Sequence, residues 1–521
     1  MRLMLRATLV LLLLVSTAAT FDLDSLLVES VGGPQALERL SRMENLVQEG
    51  RVVLNGIDGS SKDIFAPPDK YFSQMILAGV EFSMVLDGDN AWKTDMNGNV
   101  TEVTGFERDE ALSTLYIGSY AYITKSGIPG DAQYRGIKRK DGQDLHQVTL
   151  YPMLRDTVEA FFDPTTARLV RYEAKMSEVT ADVFLSDYRQ VEGVWIAFKS
   201  KIIAQDAPLI IEGTIERIEF DAKLGPDAFA RPGSSESAVD FPEKRRSVSV
   251  PMDYRAGHVR VLVTINGKTG WMILDTGAST SMIDQAFVAD MQLESAGALP
   301  VKGLSGYQEE VQLKRIDSMQ LGQMTLRKSV VAVIDLEEFR IHGPGEHRFA
   351  GILGYNFLSS LPIMIDYQGG SVTAFNPDTF EPSPNGFPIP FEYTMNIPTV
   401  EGSVLGIPGK FLVDLGNPYG LILHGAFVDE HNLMNKLDDV KDHDLEMSGV
   451  GGKTVNRTAF LSTFRMGDIL FNSMRVVLAE SEQGVSGSER IAGNIGNMVL
   501  EGFRVLLDYP RSQIVVYKGQ N

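Results

Sequence analysis

The chain has 521 residues, a formal net charge of −20 and no cysteine. Its length predicts more than one domain, because a single hydrophobic core does not grow that large. An acidic surface repels phosphate backbones, so nucleic acid is not an expected partner. The lack of cysteine excludes disulfides, thiol nucleophiles and thiolate metal sites.

The first twenty residues have the order of a secretory signal. Arg2 and Arg6 flank the start of the chain, an apolar run extends from Ala7 to Val15, and small residues follow. The apolar run is too short to span a bilayer comfortably. We therefore expect residues 1–20 to be a cleaved signal peptide and the mature protein to be exported.

Residues 21–232 predict a β-rich N-terminal domain. The segment after Phe21 has helical apolar spacing, which Gly32, Gly33 and Pro34 interrupt. From Gly50 to about Phe220 the pattern changes to short strands that turn residues separate at hairpin distances. One large antiparallel sheet with a helix packed on it would fit this pattern.

This domain resembles the LolA-like outer-membrane lipoprotein-sorting half-barrels of bacteria. The resemblance rests on "VGGPQAL…RMENLVQEGRVVL" and "DYRQVEGVWIAFKSKI" and covers roughly residues 25–230. It implies a half-barrel that holds lipid, as an acyl chain, or a lipoprotein, and it implies the bacterial periplasm as the location. A rigid accessory domain without a ligand is the alternative.

Two proline-rich breaks divide the rest of the chain. Residues 233–249 read as an exposed linker and residues 378–390 as a second, inter-lobe linker. The segments that they delimit, 250–377 and 391–521, are similar in length and in sequence. "NGKTGWMILDTGASTSMI" aligns with "LGIPGKFLVDLGNPYGLI", and "AGILGYNFLSSLPIMIDY" aligns with "AGNIGNMVLEGFRVLLDY". Ordered matches of this kind predict a duplicated β lobe.

Each lobe carries an apolar strand into an Asp-x-Gly triplet, at Asp275 and at Asp414. A buried carboxylate is costly, so its position at the end of such a strand indicates a function. Two lobes related by a pseudo-two-fold axis would bring the carboxyl groups together, and the pair would share one proton. One carboxyl can then act as base and the other as acid on a water, with no metal or cofactor.

The two lobes resemble the retropepsin-like and pepsin-like aspartic proteases. The matching motifs are "LDTGAS" and "ILG" in lobe one and "VDLG" and "NIG" in lobe two. The resemblance implies all-β lobes, a cleft between them and a β-hairpin flap, with Asp275 and Asp414 as the catalytic pair. Thr276, Gly277, Ser279, Leu415 and Gly416 would support the site. Candidate flap elements, with ordinary tight turns as the alternative, are Gly303, Gly306, Gly449 and Gly452.

Lobe two departs from this family pattern. Leu415 stands where the family has a Thr or Ser whose hydroxyl ties the lobes together, and Asn494 replaces the first apolar residue of Ile-Leu-Gly. Replacing Leu415 with Thr should restore a cross-lobe bond, unless Leu415 fills an apolar pocket. An unpaired hydroxyl there would cost about 1–3 kcal/mol. His424 and His431 are expected to be surface histidines.

These patterns predict a mostly β fold: a half-barrel-like sheet with a helix, followed by two duplicated lobes. The leading hypothesis is an exported, monomeric aspartic endopeptidase that cleaves an extended peptide or protein. The alternative is a non-catalytic protein that binds peptides or lipoproteins with a degenerate protease fold.

Overall fold

The computed structural model describes residues 21–153, 157–176, 179–205, 209–233, 239–242, 245–303, 306–340, 345–449, 452–479, 488 and 490–518. The expected signal peptide, residues 1–20, lies outside the described residues, as does Lys244 of the first linker. Within the described ranges, no helix is both long and apolar enough to cross a membrane. Strands dominate the described residues, and the predicted fold class, mostly β, is confirmed.

The N-terminal domain begins with a helical hairpin. Asp22 caps its first helix by accepting the backbone N–H of Ser25 at 3.0 Å. Gly32 and Gly33 separate the first two helices with φ values of 119° and 89°, which favour glycine. The domain's helices are α1 Leu23–Val31, α2 Pro34–Ser41, α3 Gly105–Gly118 and α4 Ala121–Thr124.

One antiparallel sheet forms the rest of this domain. Strands that are adjacent in the sequence pair with each other, except Val100–Glu102 and Gly130–Lys140, which form the two edges of the sheet. The first strand, Leu46–Leu54, also pairs with the last, Ile210–Phe220, and this pairing joins the two halves of the sheet. Apolar residues of all four helices pack in one cluster with residues of the sheet. The strands are β1 Leu46–Leu54, β2 Ile57–Ala66, β3 Lys70–Leu77, β4 Val80–Asp87, β5 Asn90–Thr94, β6 Val100–Glu102, β7 Gly130–Lys140, β8 Gln143–Pro152, β9 Val158–Phe162, β10 Leu169–Met176, β11 Val179–Val191, β12 Val194–Ala204 and β13 Ile210–Phe220.

The first linker contributes a short strand, β14 Val239–Asp240, which pairs with the lobe-one strand Met324–Ile334. Lobe one has two short helices, α5 Gln285–Val288 and α6 Tyr355–Leu358, and a 3₁₀ turn at Glu337–Phe339. Its strands are β15 Ser247–Arg255, β16 His258–Ile265, β17 Lys268–Leu274, β18 Met282–Asp284, β19 Glu294–Gly303, β20 Gly306–Leu321, β21 Met324–Ile334, β22 Phe349–Leu353, β23 Pro362–Asp366 and β24 Ser371–Phe375.

Lobe two has the helices α7 Gly425–Glu430 and α8 Asn497–Leu500, with 3₁₀ turns at Leu433–Asn435 and Tyr509–Arg511. Its strands are β25 Phe387–Pro390, β26 Glu392–Thr394, β27 Ile397–Val404, β28 Ile407–Val413, β29 Leu421–Leu423, β30 Asp438–Gly449, β31 Gly452–Met466, β32 Ile469–Leu478, β33 Gly493–Ile495, β34 Phe503–Asp508 and β35 Gln513–Lys518.

The two lobes repeat one pattern of strand pairing. In lobe one β17 lies parallel to β22, β18 is antiparallel to β22, and β18 is parallel to β21. In lobe two β28, β33, β29 and β32 make the corresponding three pairings. The registers match Ile273 with Leu412, Ile352 with Asn494 and Met282 with Ile422. This correspondence allows residues of the two lobes to be compared position by position.

A sheet built from both lobes joins them. Its strands run in the order β15, β24, β23, β34, β35 and β25. The strand β15 begins in the predicted first linker, and β25 lies in the predicted inter-lobe linker, so both linkers end as paired strands. The apolar residues of both lobes form one continuous cluster. The shared sheet and the shared apolar cluster therefore hold the two lobes together, and the ends of β17 and β28 face each other.

Candidate active site

Equivalent loops carry the two aspartates. Asp275 follows β17 and donates its backbone N–H to the carbonyl of Leu353 at 3.0 Å. Asp414 follows β28 and donates its backbone N–H to the carbonyl of Ile495 at 2.9 Å. Each residue thus continues the parallel pairing of its lobe by one bond, which fixes the loop where the strand ends.

The two carboxyl groups lie within hydrogen-bonding reach of each other. Asp275 accepts the backbone N–H of Gly277 at 2.7 Å and that of Gly416 in the opposite lobe. A Cβ atom added to Gly277 would overlap the Asp414 carboxyl, and one added to Gly416 would overlap that of Asp275. Glycine is required in both triplets because each lets the opposite carboxyl approach the backbone.

Burial raises the pKa of both carboxyl groups. The adjacent Asp414 raises the pKa of Asp275 further, since two close carboxylates resist ionising together. Hydrogen bonds from Asn494 and Asn417 oppose this rise at Asp414. Both residues are half-buried as a whole. The pair is therefore an asymmetric acid and base: Asp275 holds a proton more readily, and Asp414 is better supported as the anion.

Thr276 ties the lobes together from one side alone. Its hydroxyl donates to the carbonyl of Val413 at 2.5 Å and accepts the backbone N–H of Leu415 at 3.0 Å. Both Thr276 and Leu415 are fully buried, and Leu415 packs in the shared apolar cluster. Leu415 makes no side-chain hydrogen bond, but its backbone N–H takes part in the cross-lobe contact. Lobe two has no corresponding hydroxyl, so the cross-lobe contact keeps the two hydrogen bonds of Thr276.

Asn494 and His424 form a polar chain to Asp414. The Nδ2 of Asn494 donates to Asp414 Oδ2 at 3.0 Å, and Asn494 Oδ1 lies 2.9 Å from His424 Nε2. An ionised Asp414 can only accept, so the Asn494 amide turns its oxygen to His424, whose Nε2 must donate. In lobe one, Ile352 occupies the position that corresponds to Asn494, and Asp284 occupies the position that corresponds to His424.

The prediction that His424 is a surface residue is wrong: its side chain is fully buried. It caps α7 at the end of the apolar strand β29, and the burial follows from that position. The sequence signal was the substitution of Asn494 into an otherwise apolar triplet, because a buried amide needs polar partners. His431, in contrast, is partly exposed at the end of the same helix.

The remaining predicted site residues lie at two places. Ser279 is exposed and lines a pocket between lobe one and the N-terminal domain. Gly303 pairs with Gly306 at the tip of the β19–β20 hairpin, and Gly449 pairs with Gly452 at the tip of the β30–β31 hairpin. The four flap candidates thus occupy equivalent hairpin tips, one in each lobe.

A family model of aspartyl proteases matches residues 261–357. This range contains Asp275, Thr276 and Gly277, and it confirms the predicted resemblance of lobe one to that class of protein. The match ends before lobe two, so it does not include Asp414. A search of curated proteins finds no match to the chain.

Three solved structures show similarity at low identity. An aspartic proteinase from Irpex lacteus is 12% identical, covers 53% of this chain and 98% of its own, and has a TM-score of 0.35. An outer-membrane lipoprotein-sorting protein domain from Vibrio parahaemolyticus, described as putative, is 15% identical over 37% of this chain and 94% of its own, with a TM-score of 0.27. A DUF1329 family protein from Desulfovibrio piger is 13% identical over 40% of this chain and 95% of its own, with a TM-score of 0.29.

Proposed function

We propose that this chain is an aspartic endopeptidase in which Asp275 and Asp414 activate a water against a peptide bond. The observation that carries the proposal is the pair of facing carboxyl groups, which end equivalent strands of two similarly paired lobes. Similar lobes in this arrangement also support the proposed internal duplication. Because one chain supplies both carboxyl groups, a monomer is sufficient for the chemistry.

The asymmetry of the pair assigns the two roles. Asp414 acts as the base and takes a proton from the water, and the water oxygen attacks the peptide carbonyl carbon. Asp275 gives its proton to the carbonyl oxygen, which yields a neutral tetrahedral diol. Asp414 then returns its proton to the amide nitrogen, Asp275 takes back a proton from a hydroxyl, and the C–N bond breaks. An extended peptide would lie between the lobes, with backbone hydrogen bonds to the hairpins.

Hydrolysis of an unfolded protein tests this function. Asp275→Asn and Asp414→Asn should each abolish turnover, because both roles require an ionisable carboxyl. Asp290→Asn is the matched control, since Asp290 lies on lobe one, is exposed and pairs with Lys268. Turnover that persists in Asp275→Asn, with the control and wild type equally active, would refute the mechanism. A wild type that binds unfolded protein without cleaving it would favour a non-catalytic peptide-binding protein.

A cavity in the N-terminal domain supports a second function, the binding of an apolar ligand. The cavity has a volume of about 780 Å³ and lies between the helices and the sheet. That volume suits a fatty acyl chain or the lipid of a lipoprotein. Together with the signal-like residues 1–20, it supports export and a periplasmic location. Its apolar walls include Val52, Phe65, Leu169, Leu185 and Phe198.

Displacement of a fluorescent fatty acid tests this second function. Leu185→Trp adds bulk inside the cavity and should weaken binding at least tenfold, whereas Ile137→Trp should not, because Ile137 is 64% exposed on the same sheet. Equal affinity of both variants and the wild type would exclude the cavity as the ligand site.

A further inference from the structure

The N-terminal domain covers an apolar surface of lobe one. Val80, Phe82 and Met96 pack in one cluster with lobe-one residues from the loop after Asp275 and from β18, β20 and β21. The lobe-one members include Ala278, Met282, Val311, Leu313, Val330 and Ala332. This cluster therefore includes Ala278, three residues beyond the proposed catalytic Asp275.

The corresponding surface of lobe two has polar residues at two positions, beside the apolar Ile422, Val477 and Ala479. The strand registers match Leu313 with Thr458 and Val330 with Arg475. Arg475 donates to the hydroxyl of Thr458 at 2.7 Å, whereas Leu313 and Val330 are both buried. At these two positions the apolar residues belong to lobe one, whose surface the N-terminal residues Val80, Phe82 and Met96 cover. The sequences of both surfaces thus fit a permanent contact between the N-terminal domain and lobe one.

A turn of the N-terminal domain fixes this contact beside the Asp275 loop. Asn97 accepts the backbone N–H of Val330 at 2.6 Å and donates to its carbonyl at 3.4 Å, as a neighbouring strand would. The Asp95 carboxylate accepts the backbone N–H groups of Asn97 and Asn99, which holds the turn in shape. Met96 is thereby placed with its sulfur 3.9 Å from the hydroxyl of Thr280.

The N-terminal domain also contacts lobe two. Glu107 accepts the backbone N–H of Met395 at 3.1 Å and pairs with Lys93 at 2.7 Å. Met395 and Asn396 form the turn between β26 and β27, and both have positive φ. On the lobe-one side, the Thr101 hydroxyl is hydrogen-bonded to that of Tyr355. The domain therefore contacts both lobes.

A pocket of about 330 Å³ remains where the three parts meet. Its walls include Lys93, Met96, Ser279, Thr280, Met395 and Asn396. Thr280 is five residues from Asp275, so the two Cα atoms lie within about 18 Å of each other. An extended peptide of about five residues covers that distance. Lys93 and Glu107 neutralise each other, and the carboxyl of Asp95 accepts hydrogen bonds from Asn97 and Asn99 of its own turn. Hydroxyl and amide groups make up the rest of the polar wall.

We propose that this interdomain pocket is a subsite of the peptide cleft, which takes a polar, uncharged side chain a few residues from the scissile bond. The proposal rests on the endopeptidase function proposed above and makes the N-terminal domain part of the substrate site. The domain then contributes to specificity through Met96 and Lys93, and the lobe-two turn contributes through Asn396.

Asn396→Asp in the full-length chain tests the subsite, because it adds one negative charge with little change of shape. Cleavage of a peptide library should then favour Lys or Arg at a single distal position by about fivefold or more over the wild type. Preferences at the other positions should not change. Asn432→Asp is the matched control, since Asn432 lies on the same lobe, also has positive φ and is exposed outside the pocket.

The same library peptides are also tested for binding to Asp275→Asn, with and without Asn396→Asp, by fluorescence anisotropy. A new preference for basic peptides in binding would support the subsite even if no protein form cleaves them, in which case only the endopeptidase proposal fails. Cleavage with an unchanged profile in Asn396→Asp would overturn the subsite and leave the endopeptidase intact. If Asn396→Asp does not fold, Met96→Ala replaces it and should relax selectivity at one position; unchanged selectivity would overturn the proposal.

Discussion

The polar chain from His424 through Asn494 to Asp414 leads to a quantitative prediction. Asn494→Ile gives lobe two the residue that lobe one has at Ile352, and it removes the side-chain donor to Asp414 Oδ2. A hydrogen bond to a charged group contributes about 1.5–3 kcal/mol. Because this bond stabilises the ionised carboxylate, its loss should raise the pKa of Asp414.

The sign of the effect on activity follows from the role of Asp414. The bond from Asn494 lowers the pKa of Asp414, so its removal raises that pKa. Asp414 acts as the base only when it is ionised, and activity is lost as the pH falls through its pKa. The acidic limb of kcat/KM should therefore move to higher pH. At a pH on that limb, kcat/KM should fall by about tenfold or more, the factor to which 1.5–3 kcal/mol corresponds. The pH–rate profile of a quenched fluorescent peptide measures this shift.

His424→Gln should move the same limb in the same direction by a smaller amount. Gln can still donate to Asn494 Oδ1, but it does not fill the position of the ring. His431→Gln is the matched control, because His431 lies at the end of the same helix and is partly exposed. An acidic limb that stays in place in folded Asn494→Ile, or that moves equally in His431→Gln, would refute the proposed support of Asp414.

Three further predictions concern the contacts between the lobes and between the domains. Thr276→Val removes both cross-lobe bonds of the hydroxyl and should lower the free energy of unfolding by about 2–5 kcal/mol, measured by urea denaturation; a loss below 0.5 kcal/mol would contradict the one-sided tie. Leu415→Thr should destabilise the protein by about 1–3 kcal/mol, because Leu415 is fully buried among apolar residues, and a gain in stability would contradict this. Trypsin should cut at the exposed Arg245 and Arg246 to give fragments of roughly 220 and 275 residues. These fragments should co-elute in gel filtration through the Val80, Phe82 and Met96 contact, and separation would refute a permanent interface.

Much of the fold could be predicted from local patterns. The helical spacing after Phe21 and the short strands predicted a helix packed on a large antiparallel sheet, and the break at Gly32 and Gly33 separates two helices in the structure. The helix α3 was not predicted, although it provides Leu112 and Leu115 to the N-terminal core. Its sequence lies between strands and lacks a clear apolar face, so its helical form depends on packing against the sheet. Local sequence periodicity does not predict such tertiary contacts.

The sequence predicted the site residues that align between the two lobes, and it did not predict those that differ between them. Asp275, Asp414, Gly277 and Gly416 occupy aligned positions, and the structure brings all four together. The support of Asp414 instead depends on Asn494 and His424, which are 70 residues apart and meet only because β29 pairs with β33. Position by position, lobe two has a polar partner for its carboxyl where lobe one has Ile352, and it lacks the hydroxyl that Thr276 supplies.

The two lobes thus divide the requirements of one site between them. Lobe one provides the cross-lobe tie through Thr276, and its outer apolar surface holds the N-terminal domain. Lobe two gives up the hydroxyl for the buried Leu415 and uses Asn494 to stabilise the ionised carboxylate. A symmetric pair would have no preference for which carboxyl holds the shared proton. Asn494 gives Asp414 a side-chain amide donor, and lobe one has Ile352 at the corresponding position. In the proposed mechanism Asp275 is therefore always the acid and Asp414 always the base, and a peptide would be held in one direction across the pair.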